Sequence, residues 1–156
     1  MSGNQAVGGI RKRWLGVLAA LVLLMCMPAA YAQQVYKSVT SAQVKSIMVG
    51  EGFAVETSDS GKLIWKIDGY KTAMLLGDDG LSLQFYAAFA GGGSSLAKVN
   101  KWNKDKRYSR SYIDDDGDPV LELDLDVTGG VTRERIIDFL KTARMSFTAW
   151  HEEVVE

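Results

Sequence analysis

The chain has 156 residues, 47% of them hydrophobic, with 18 basic and 19 acidic side chains, one Cys and one His. Residues 1–32 hold Arg11, Lys12 and Arg13 and no acid, and setting them aside leaves 124 residues with 15 basic and 19 acidic side chains, a net charge of −4. The remaining hydrophobic fraction, about 42%, is that of an ordinary globular domain, which excludes a multidomain enzyme, a disordered chain, a disulfide scaffold and a strongly basic nucleic-acid binder.

Arg11, Lys12 and Arg13 precede an apolar run of fourteen residues from Trp14 to Met27, then Pro28, then Ala30-Tyr31-Ala32. A basic segment, a short apolar core and a small-x-small site are the parts of a secretory signal peptide, so residues 1–32 read as a signal and residues 33–156 as the exported domain. A membrane anchor is the alternative, but fourteen helical residues span roughly 21 Å of a roughly 30 Å hydrocarbon core. Cleavage after Ala32 predicts a periplasmic or secreted protein; an uncleaved segment would leave it anchored. Cys26 follows Met25, which does not suit lipoprotein processing, so it leaves with the signal and the exported domain has no disulfide.

Thr40 and Gln43 have capping-box spacing, and Val39 and Val44 that of a hydrophobic staple. They predict a short helix with Val44, Ile47 and Met48 inward, ended by Gly50 or Gly52. From Phe53 the apolar period becomes two. Phe53 and Val55 open a strand, and Ser58-Asp59-Ser60-Gly61 turns it. Leu63, Trp65 and Ile67 alternate with Ile64, Lys66 and Asp68, and Asp68-Gly69 suits a tight hairpin back into Tyr70 to Leu76. Gly77 to Gly80 turns again before Leu81, Leu83, Phe85 and Ala87. These runs predict an antiparallel meander.

Gly91-Gly92-Gly93-Ser94-Ser95 lacks phosphate-loop spacing and reads as a loop with a helix N-cap at Ser94 or Ser95. The second helix, from about Leu96 to Asn103, turns Leu96, Val99 and Trp102 inward. Tyr108, Arg110 and Tyr112 alternate with Ser109 and Ser111 in a strand, Asp114 to Pro119 turns, and Leu121, Leu123, Leu125 and Val127 return opposite Glu122, Asp124 and Asp126. Thr132 caps a last helix whose stripe is Ile136, Leu140, Ala143, Phe147, Trp150 and Val154. The predicted order α-β-β-β(β)-α-β-β-α is a single α+β domain, an antiparallel sheet with helices on one face.

Few groups suit chemistry. Asp114, Asp116 and Asp118 have the start of an EF-hand spacing, but Pro119 replaces its glycine and Leu125 its closing glutamate, so a polar hairpin turn is expected and a weak Ca²⁺-responsive module is an alternative. His151 reads as a solvated helical histidine, and no thiol nucleophile or Cys/His zinc site can be assembled in the exported domain. Glu122, Asp124 and Asp126 are the best carboxylate cluster; a water-facing strand is expected, and a small carboxylate-dependent hydrolase is the alternative. Lys98, Lys101, Lys104, Lys106, Arg107 and Arg110, interleaved with Trp102 and Tyr108, read as a basic helix end near the acidic strand, with an anionic partner surface as alternative.

Val99-Asn100-Lys101-Trp102-Asn103, Arg107-Tyr108 to Tyr112, Asp116-Gly117-Asp118-Pro119-Val120-Leu121 and Gly129-Gly130-Val131 together resemble the YbjN-domain family, named as a putative bacterial sensory transduction regulator. Trp65-Lys66-Ile67 and Leu81 to Phe85 match its earlier strands. The resemblance implies the fold of type III secretion chaperones, binding of extended polypeptide, frequently as a dimer, and no catalytic residues or cofactor. Members without a signal exist, and the export signal here departs from them. Trp102 is expected beneath its helix, with Asn100 and Asn103 bonding nearby backbone; Asn100, Trp102, Asn103, Arg107 and Tyr108 are the candidate partner-binding residues. The resulting expectation is an exported, non-enzymatic protein-binding or regulatory module of a bacterial envelope, with another polypeptide or a second copy as partner and neither nucleic acid, metal nor cofactor.

Overall fold

Thr40 begins the first helix as its neighbours predict. Its side chain accepts from the Gln43 N–H (3.3 Å), and the Gln43 side chain accepts from the Thr40 N–H (2.9 Å). The two bonds satisfy donors that a helix start otherwise leaves to water. A computed structural model describes residues 34–91 and 93–156, so the reading of residues 1–32 as a signal lies outside the described residues. A two-residue strand β1 (Val35–Tyr36) precedes helix α1 (Ser41–Gly50). Strands β2 (Ala54–Thr57), β3 (Leu63–Ile67), β4 (Tyr70–Leu76) and β5 (Ser82–Ala88) follow. Helix α2 (Leu96–Asp105) leads to β6 (Arg110–Ile113), β7 (Pro119–Asp126), β8 (Val131–Thr132) and helix α3 (Arg133–Trp150), which runs into a π-helical turn at His151–Val155.

Six strands form one antiparallel sheet in the order β2-β3-β4-β5-β7-β6, and β1 pairs with β8 in a separate ribbon. At the β3–β4 hairpin Asp68 has φ 51° and Gly69 φ 88°. Two successive positive φ angles are what a two-residue turn needs to match the strand twist. The register sorts the sheet into two faces. Leu63, Met74, Phe85 and Leu123 stand in one row of the inner face, all but Leu123 (2%) and Leu63 (1%) fully shielded from solvent. Glu56, Ile64, Ala73, Tyr86, Glu122 and Arg110 stand in one row of the other face, across all six strands.

The helices cover the inner face. Val44, Ile47 and Met48 of α1, Val99 and Trp102 of α2, and Ile136, Leu140, Ala143, Phe147 and Trp150 of α3 join the inner strand residues in one core. Removing each large apolar side chain from water contributes roughly 1.5–3 kcal/mol before ordering is subtracted. The α+β order expected from the sequence is the observed one, with the β1–β8 ribbon added.

Four local expectations are corrected. Leu96 is not inward but 75% exposed; six residues of helix rotate it about 120° from Trp102, off the buried stripe. Tyr108 lies outside the strand, at φ 68°, and β6 begins at Arg110. Glu122 is buried (6%) rather than water-facing. His151 is not solvated: its ring lies 4.4 Å from that of Tyr70 and 4.9 Å from that of Phe89, and its Nδ1 is 3.2 Å from Glu156.

Candidate functional site

The residues singled out around the end of α2 divide into internal and external groups. Trp102 is buried, which takes its ring out of a partner's reach, and its Nε1 donates to Ser109 Oγ (3.0 Å). Asn103 turns its amide onto the edge of β6. Its Nδ2 donates to the Ser111 carbonyl (2.7 Å), and its Oδ1 accepts from the Ser111 N–H (2.9 Å). One side chain thereby replaces a missing strand neighbour. Asn100, Arg107 and Tyr108 stay at the surface, and Tyr108 is 79% exposed.

Ser111, which the sequence reading passed over, joins the elements beneath. Its hydroxyl donates to the Val120 carbonyl (2.8 Å) and accepts from Trp150 Nε1 (2.8 Å). With Asn103 this links α2, β6, β7 and α3. Only its inward position in the Tyr108–Tyr112 alternation hinted at such a role.

Three of the six basic residues of this region form ion pairs. Lys101 pairs with Asp105, Lys106 with Glu153 (2.6 Å), and Arg110 with Glu122. The Lys106 ammonium also stands 5.1 Å from the Trp102 ring centre. Arg110 lies over the Tyr112 ring, and the Tyr112 hydroxyl donates to Glu122 Oε1 (2.9 Å). Burial, then the bond to Glu122, push the Tyr112 phenol up to about 12. Burial first, then Asp114, Glu122 and Asp118, also raise Tyr86.

The carboxylates do not form an acid–base pair in a cleft. Both Glu122 oxygens are occupied by Arg110 and Tyr112. Asp124 accepts from Gln84 Nε2 (3.0 Å), and Asp126 accepts from the Thr128 N–H (2.8 Å). The Thr128 hydroxyl and N–H hold the Asp126 carboxyl below the usual range. In the aspartate turn, Asp114 Oδ1 accepts from the N–H groups of Asp116 (3.1 Å) and Asp118 (2.8 Å), and Asp118 accepts from Gly91 N–H (2.8 Å). These bonds make it a self-stabilised hairpin turn. Among the described residues no three His, Cys, Asp or Glu side chains are gathered as a metal site.

A recess lies elsewhere. A groove of about 710 Å³ runs between α3 and the segment joining α1 to β2, lined by Glu51, Phe53, Lys141, Arg144, Met145 and Ala149 among others. Met145 is 72% exposed, while Phe53 and Ala149 are partly buried against the core. Charged groups rim it: Glu51 reaches Arg133 (3.4 Å) and Lys141 (3.6 Å), and Arg144 reaches Asp68 (4.0 Å). The sequence reading missed this groove, because Phe53 and Met145 are distant in the chain.

An antiparallel sheet covered on one face by three helices, with an apolar groove beside the last, places the molecule among small α+β domains with open surfaces. The chain belongs to the YbjN family: the family model, described as a putative bacterial sensory transduction regulator, matches residues 40–156. Its fold is similar to the crystal structure of YbjN, a putative transcription regulator from E. coli, at 14% identity and a TM-score of 0.58, over 78% of this chain and 98% of that one. A further solved structure, the Yersinia pestis type III secretion chaperone SycH in complex with a stable fragment of YscM2, aligns at 17% identity and a TM-score of 0.47, over 70% of this chain and 98% of that one. No curated protein matches the sequence.

Proposed function

We propose that this chain is an exported, non-enzymatic regulator of the bacterial envelope that works by holding another polypeptide. The observation that carries the binding part is the α3 groove. Its floor offers Phe53 and Ala149, and its wall offers the exposed thioether of Met145, a flexible and polarisable group suited to partners of varied shape. Charged residues around an apolar centre are the arrangement of a recognition surface, where the centre supplies affinity and the rim orientation. The groove's length along one helix suits an apolar segment of a partner, and a second copy of the chain is one form that partner can take. Family membership supports a regulatory role. The basic, apolar and small-x-small parts of residues 1–32 support export with cleavage after Ala32.

Chemical crosslinking in intact cells, followed by mass spectrometry, tests the binding reading. Crosslinks between a partner and Lys141 should be lost in Met145→Asp, with the melting temperature of that exposed-site variant unchanged. Crosslinks that persist unaltered would contradict it. N-terminal sequencing of the protein recovered from cells tests export: a chain beginning at Gln33 supports cleavage, and one retaining residues 1–32 contradicts it.

A further inference from the structure

The last two strands of the sheet, β7 and its edge neighbour β6, are of unequal length. β6 pairs Arg110 to Ile113 with Glu122 to Pro119, and β7 continues to Asp126 with β5 on one side only. The side on which its backbone groups turn follows from the alternation along the strand. Val127 donates its N–H to Leu81 O (2.8 Å) on the β5 side, whereas Asp118 O accepts from Asp114 N–H (3.0 Å) on the β6 side. Val120, Glu122, Asp124 and Asp126 share the parity of Asp118. Asp124 and Asp126 therefore present their N–H and C=O groups along an edge that no strand among the described residues pairs.

The chain before β6 leaves this edge open instead of lying along it. Tyr108 adopts φ 68° and stands exposed, so the segment bends away two residues before the strand begins at Arg110. Between the edge and α3 is a cleft of about 470 Å³, lined by Tyr108, Leu123, Asp124, Arg135, Asp138 and Phe139 among others. Arg135 there is paired with Asp138 (2.6 Å). On the outer face Asp124 and Asp126 are exposed, and among the described residues neither has a cation within ion-pair distance; their bonds are to Gln84 and Thr128.

We infer that the free half of β7 is a docking edge for an extended polypeptide segment in which apolar and basic residues alternate. The inference rests on the polypeptide-binding reading and adds a second place of contact, on the other edge of the sheet from the α3 groove. A strand laid along β7 exchanges backbone hydrogen bonds with Asp124 and Asp126. Its residues opposite those two share their outer face, where Lys or Arg meets the two carboxylates. Its intervening residues point to the inner side, into the cleft beside Leu123 and Phe139, where an apolar side chain loses water. The backbone edge and cleft make the site; the charge chooses the occupant.

The test titrates the ¹⁵N-labelled protein with the capped octapeptide (Lys-Val)₄ and follows backbone amide shifts. Saturable shifts centred on Asp124 and Asp126 are expected, with none for (Glu-Val)₄ or (Lys-Ser)₄ and affinity about tenfold weaker in the double variant Asp124→Asn, Asp126→Asn. Asp124→Pro removes an N–H that faces the open side, a position where an edge strand tolerates proline; it should abolish the shifts while keeping the native amide spectrum elsewhere. No saturable shift with (Lys-Val)₄, binding centred elsewhere, or unchanged binding in a folded Asp124→Pro would overturn the inference. Such a failure leaves the Met145-dependent crosslinks as they are, so the two readings fail separately.

Discussion

Asn103 and Tyr112 show how much one side chain does where the sheet narrows. Asn103→Ala leaves both backbone groups of Ser111 without their partner at a part-buried edge. The expected cost is about 1–3 kcal/mol, read from denaturant midpoints at unchanged slope. Tyr112 makes the opposite kind of statement, about pH. Its phenol ionises at about 12 in the folded state, against 10.0 for the free group. Between those values the unfolded chain has lost the proton and the folded chain retains it, so stability falls as pH rises through that interval and is unaffected by this group below it. In a spectrophotometric titration of tyrosinate, Tyr112→Phe should remove a late-ionising phenol and flatten the loss of stability above pH 10. The burial of Glu122 belongs at this scale too, and it was not legible. Alternation along β7 assigns Glu122 to the outer face, but only the pairing of three strands brings Tyr86, Arg110 and Tyr112 around it.

The elements themselves were largely legible, because their signals are local. Thr40, Ser95 and Thr132 each cap a helix with a side-chain oxygen, and the two-residue alternation of Leu63, Trp65 and Ile67 separates core from solvent within five residues. The β1–β8 ribbon escaped notice, since two-residue strands carry no period and Val35 meets Thr132 across nearly the whole domain. The α3 groove and the aromatic surroundings of His151 escaped for the same reason. Thr40→Ala should cost about 1 kcal/mol through loss of the capping box. Gly80 ends the β4–β5 turn at φ 70°, and a Cβ there would lie 2.5 Å from the Val39 carbonyl, which is main chain and cannot swing aside. Gly80→Ala should therefore destabilise by about 1–3 kcal/mol, visible as a lowered melting temperature, and more than Gly61→Ala, where φ is also positive but nothing lies within 4 Å.

Across the whole molecule the core and the surface divide the work. Trp150 lies in the stripe of α3, fully shielded, beside Phe89 and Phe147, and reaches Ser111 on the inner face of β6. Trp150→Ala should cost about 3–5 kcal/mol and loosen the joint between α3 and β6, which hydrogen exchange at Ser111 would register. The surface is where function is proposed. It holds an apolar groove beside α3 at one edge of the sheet and an unpaired half-strand at the other. If the groove receives a polypeptide, a photoreactive amino acid placed at position 145 in living cells captures it. A discrete protein adduct is expected from position 145 and none from position 60 in the exposed β2–β3 turn; equal labelling from both positions, or no adduct at 145, would overturn the polypeptide-binding role.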